Sequence, residues 1–183
     1  MLNQIAAIHG TGAPAVTNSY ESIATVTVGA GGSSSISFTS IPSTYKHLQI
    51  RASHTFDSNN RGINFQFNSD TGANYSRHYL SGDGSSANAG GAGSLSNISF
   101  YYHVGNAGTT QAEVEIVDIL EYANTNIYKT LRGLAGVDNN GSGEVFLVSG
   151  SWRNTGAITS VTINTSGGNF AQHSKFALYG IKG

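Results

Sequence analysis

Apolar and polar positions alternate with a period of two along most of this chain. Ile36 and Phe38, then Leu48, Ile50 and Ala52, then Ile63, Phe65 and Phe67, each put apolar side chains on one face of an extended segment. Ile98, Phe100, Tyr102 and Val104 repeat the pattern, as do Phe176 and Leu178. Between the runs lie Gly29–Gly32, Asp57–Asn60, Asp70–Gly72, Gly105–Gly108, Asp138–Gly141 and Ser166–Asn169. Those compositions supply the positive φ angles of tight turns. The spacing predicts about ten or eleven strands in an all-β, single antiparallel jelly-roll-like β-sandwich with an N-terminal arm.

Four segments depart from strict alternation. Over Ala112–Asn124, Val114, Val117, Leu120 and Ala123 also fit a 3.6-residue period, but the Val and Ile content favours a strand. In Gly156–Ile163, Ile158 falls out of phase with Val161 and Ile163, which a bulge near Thr159 would repair. Ser81–Ser94 is almost without side chains and reads as a long surface loop, mobile or ordered by a neighbour. Residues 1–17 carry Leu2, Ile5 and Ile8 ahead of a Gly10–Pro14 break. They read either as an arm that contacts another chain or as one more strand, with residues 18–183 forming the sandwich.

Composition sharpens this picture. Charged residues make up 10% of the 183-residue chain and the formal net charge is -1, where about a quarter charged is usual. Free-standing proteins keep dispersed with mixed surface charge, so this surface is expected to face other protein. With no Cys, disulfides, thiolate metal sites and a Cys nucleophile are excluded. The first ten residues lack a positive start and a long apolar centre. No apolar run has the length of a membrane span, and the nine Lys and Arg are scattered singly. The expected partners therefore include neither membrane nor nucleic acid.

Candidate chemistry is sparse. G-x-S-x-G, H-E-x-x-H and Walker patterns are missing, so no catalytic residue, metal ligand or cofactor is expected. Glu113 and Glu115 share a strand face, where a glycosidase pair competes with a solvated face, and the solvated face is the simpler reading. Asp57–Gly62 starts like a calcium loop, but Arg61 and Asn68 fall where oxygen ligands belong. An irregular site at Asp57, Asp83 or Asp138 competes with ordinary turns. His47 and His54, seven residues apart, point to opposite faces of one strand.

The aromatics Tyr75, Tyr79, Tyr101 and Trp152 are candidates either for packing in the core or between subunits, or for a sugar-binding surface. Tyr101 and Tyr102 point to opposite sheet faces, so at most one belongs to an outer patch.

Asn18–Gly29, Ser40–Arg51, Phe67–Tyr75, Asp118–Lys129 and Phe176–Gly183 together resemble the small β-rich virion structural proteins of tailed bacteriophages and cyanophages. The resemblance spans most of the chain after residue 18. It implies a jelly-roll-like sandwich located in the virion, either a capsid decoration (cement) protein or a tail fibre or receptor-binding element that recognises host surface glycan. As a decoration protein it would be a homotrimer, assembled in the host cytoplasm, bridging subunits of the major capsid protein. Leu2, Ile5 and Ile8 would then contact the capsid or a neighbouring subunit.

Overall fold

The computed structural model describes residues 19–58, 62–101 and 111–183, with the backbone alone at Tyr101. The described residues form β1 (Tyr20–Thr27), β2 (Ser35–Phe38), β3 (His47–His54), β4 (Gly62–Phe67), β5 (Tyr75–Gly82) and β6 (Ala87–Leu95). There follow β7 (Ile98–Tyr101), β8 (Glu113–Leu120), β9 (Lys129–Asn139), β10 (Ser142–Trp152), β11 (Val161–Thr165) and β12 (Lys175–Ile181). Every pairing is antiparallel.

Eight strands make a large sheet in the order β1-β12-β3-β8-β9-β10-β5-β6, and four make a small sheet in the order β2-β11-β4-β7. Set aside the hairpins β5–β6 and β9–β10, and β1-β12-β3-β8 faces β2-β11-β4-β7. Apart from the step from β4 to β7 within the small sheet, the chain then alternates between two four-stranded sheets and its first strand pairs with its last, an order that matches a jelly roll. The two hairpins widen only the large sheet.

Period-two alternation builds the core. Leu48, Ile50, Phe176, Leu178, Val117, Ile119, Leu131 and Val148 point inward from the large sheet, and Ile63, Phe65, Phe67, Phe100, Val161 and Ile163 meet them from the small one. Outward positions of the small sheet are polar: Asn164 donates to Gln66 at 3.1 Å, and Ser37 and Thr162 share a hydrogen bond. Where β7 closes onto the large sheet, Gly133 and Gly150 face it without side chains. A Cβ on Gly133 would collide with the Phe100 ring, and one on Gly150 would lie 2.6 Å from Ile98.

Three expectations are corrected. Ser81–Ser94 is not a loop but the end of β5, a tight turn and the edge strand β6. Asp83 Oδ1 accepts from the backbone N–H of Ser85 and Ser86, fixing the turn. The Tyr79 and His78 rings lie over Gly90 and Gly91, 2.7 and 2.5 Å from where a Cβ would sit. Neighbouring rings thus cover the strand that lacks side chains of its own.

The phase slip at Thr159 is not a bulge within a strand, because β11 begins only at Val161 and Ile158 belongs to the preceding loop. Asn68 holds that loop, accepting from Thr159 and Ser160 N–H and donating to the Ala157 carbonyl. Glu113 and Glu115, read as a solvated pair, point into the protein instead. Ala112–Asn124 resolves as β8 followed by a turn, closed by Asn124 N–H to the Glu121 carbonyl.

At the end of the sandwich where β9 starts and β10 finishes, Lys129 is fully buried. Its ammonium donates to the backbone carbonyls of Asn124 at 2.5 Å, Ile127 at 2.8 Å and Thr155 at 3.0 Å. Three donors meet three acceptors, which satisfies the ammonium completely.

Candidate interaction surface

The outer face of the large sheet differs from that of the small one. In register across four strands, Ile116 of β8 pairs with Leu134 of β9, Leu134 with Leu147 of β10, and Leu147 with Leu80 of β5. The row ends at Ala89 of β6. Beside it, Val114 and Val145 flank Gly136, whose missing side chain leaves a shallow apolar notch. Leu80, Val114, Ile116, Leu134, Val145 and Leu147 are 45–59% exposed.

Burying an aliphatic side chain completely is worth about 1.5–3 kcal/mol, so covering the remaining half of six gives roughly 5–9 kcal/mol. A contiguous apolar patch of this kind makes the face a candidate interaction surface.

One flank of the row is polar and internally matched. Asp118 accepts from Gln49 at 2.8 Å and from Arg132 at 3.2 Å. Gln49 in turn accepts from Arg51 Nε, and the Arg51 guanidinium sits between the Tyr20 and Tyr179 rings, 5.8 and 5.5 Å from their centroids. An apolar centre with a hydrogen-bonded polar border has the anatomy of a protein–protein interface.

The aromatics singled out in the sequence disperse. Tyr75 is fully buried and Trp152 nearly so, stacked with ring centroids 6.4 Å apart, and neither offers a surface to a sugar. Tyr79 is half-buried, stacked on Phe146 at 5.1 Å and spent in covering Gly90. The backbone of Tyr101 pairs with Gly62; its side chain, like Leu2, Ile5 and Ile8, lies outside the described residues.

The three aspartates considered for calcium serve as turn acceptors. Asp57 takes the backbone and side-chain N–H of Asn169, which hold its carboxyl below the usual range. Asp83 caps its own turn, and Asp138 accepts from Gly141 N–H. Among the described residues no three His, Asp or Glu side chains converge to hold a metal ion.

Behind β8 lies a buried ionisable cluster. Inward positions hold His54 of β3 beside Glu113 and Glu115 of β8, with Glu144 two strands away on β10, each 5% exposed or less. His54 Nε2 stands 3.5 Å from Glu115 Oε1, while Phe56, Phe170 and Phe176 pack around the imidazole. Burial pushes the Glu113 carboxyl up to about 7, opposed by His54 and helped by the charges of Glu115 and Glu144. A glycosidase pair must flank an open cleft, whereas Glu113 and Glu115 are closed off from substrate.

No known protein family, curated protein or solved structure matches this chain.

The apolar row went unread in the sequence although its signal is there. Glu113–Leu120 and Glu144–Val148 carry aliphatic residues at odd and even positions alike, the pattern of strands covered on both faces. Only the register between strands shows that the outward set is contiguous.

Proposed function

We propose that this protein is a non-enzymatic structural subunit of a bacteriophage particle, a capsid decoration protein bound to the major capsid protein. The observation that carries this reading is the apolar row across β8, β9, β10 and β5. It is a surface built to be covered, on a chain whose charge is too sparse to disperse it. The resemblance of five segments to phage virion proteins supports the same conclusion. The positions of Tyr75, Tyr79 and Trp152 lend no support to the alternative of a glycan-recognising tail element.

The test is electron microscopy of intact particles with gold-labelled antibody against the folded domain. Gold distributed over the capsid shell is the expected result. Gold confined to the tail, or particles without label, would overturn the assignment.

A further inference from the structure

We infer that the apolar row on the outer face of the large sheet is covered by a second copy of this chain. The inference rests on the reading of the protein as an assembly subunit and names what that surface binds first.

Size is the first argument. Six aliphatic side chains at 45–59% exposure leave a few hundred Å² of apolar surface uncovered. This is the order of the apolar part of a standard interface, about 800 Å² per partner and about 65% apolar in homodimers. Together with its polar border, a face of that size reaches the area of a standard interface.

Charge is the second. From Ile116 to Ala89 the row contains no charged side chain; Arg51 of β3 borders it at Ile116, and the Asp118 carboxylate beside it is already matched by Arg132 and Gln49. The row itself therefore meets its own image without like-charge repulsion. A strongly acidic or basic partner would find no charge to pair with along the row itself.

The third argument is the path of the row, which runs to Ala89 at the sheet edge. Strand β6, from Ala87 to Leu95, carries no Lys, Glu or Pro, the devices by which a solitary sheet keeps its edge away from other sheets. Both outer strands carry a register shift, β1 between Ser22 and Ala24 and β6 opposite Tyr75 and Arg77, but only β1 adds a charged residue, Glu21, paired with Lys182. The charged edge and the uncharged one lie at opposite ends of the same sheet, and the apolar row runs toward the uncharged end.

The experiment is sedimentation velocity of the full chain at micromolar concentration, in low and high salt. Its variants are Leu134→Lys combined with Leu147→Glu, and Thr130→Lys as a control on the same face outside the row. Leu134 and Leu147 are direct cross-strand partners, so the introduced charges attract within one chain and the fold is kept, which circular dichroism and melting verify. Leu147→Gln alone serves if the double variant melts early.

The native chain and Thr130→Lys should sediment as an oligomer that high salt does not dissociate, and the row variants should be monomeric or at least tenfold weaker in self-association. A native chain that stays monomeric, or row variants with native mass, overturns the inference. If the native chain is monomeric and the row variants lose binding to purified capsids, the row belongs to the coat protein. That outcome removes this inference and leaves the decoration reading intact. Self-association through the row with no label on particles does the reverse.

Discussion

The indole of Trp152 donates to Asp70 Oδ2 at 2.7 Å, joining the end of β10 to the connection between β4 and β5. Asp70 also accepts from Asn74 Nδ2 at 2.9 Å and from Gly72 N–H at 2.8 Å, and its backbone carbonyl takes the Tyr75 hydroxyl. One carboxylate thereby fixes a turn and satisfies the polar atom of a buried aromatic.

Asp70→Ala should destabilise the protein by roughly 2–3 kcal/mol, because hydrogen bonds to a charged group are worth more than neutral ones and the indole N–H is left without a partner. The Trp152 and Asn74 donors hold the Asp70 carboxyl below its ordinary value. Its stabilisation is therefore present above the unfolded value, about 3.9, and is lost as pH falls through the lower folded value. Denaturant titrations from neutral to strongly acidic pH should show the gap between native and Asp70→Ala closing in acid. A gap independent of pH would refute the charge-assisted role.

The Glu113 carboxyl has the opposite sign. Its folded value of about 7 lies above the ordinary 4.5, so the folded state holds the proton more tightly and this group's contribution to stability falls as pH rises from about 4.5 to about 7. Above that range the full penalty applies, on the order of 3 kcal/mol. Glu113→Gln should raise the melting temperature at alkaline pH and flatten its dependence across that window. An unchanged slope would show that Glu113 ionises freely in the fold.

Gly133→Ala should cost about 1–3 kcal/mol by overpacking, since the added methyl collides with Phe100 and forces β7 off the large sheet. The double variant Gly133→Ala with Phe100→Leu should recover part of that loss. Double-mutant analysis of denaturant midpoints measures the coupling, and strictly additive effects would place the strain elsewhere.

Lys129→Met keeps the length of the side chain and removes its three donors, leaving the carbonyls of Asn124, Ile127 and Thr155 facing an apolar group. A loss of roughly 3 kcal/mol is expected from unsatisfied buried acceptors. Hydrogen exchange should quicken first in residues 121–128 and 153–159, and uniform quickening over the whole chain would argue against a local role.

The strands and their inward faces were legible because alternation at period two is a local property. Leu48, Ile50, Phe65 and Phe67 declare their side of the sheet within one segment. Glu113, Glu115 and β6 misled because burial and pairing are settled by distant partners. His54 and Glu144 lie far along the chain from the glutamates they meet, and the rings that cover Gly90 and Gly91 belong to β5. The row from Ile116 to Leu80 is still less local, since it exists only once four strands have found their register.

The ammonium of Lys129 occupies the kind of carbonyl-lined socket in which other loops hold a metal ion. A tethered cation has fixed stoichiometry: dilution cannot leach it and a chelator cannot strip it. The loops around it should therefore keep their shape through changes of medium that would empty an ion-filled socket, such as passage from a concentrated cell interior into open water.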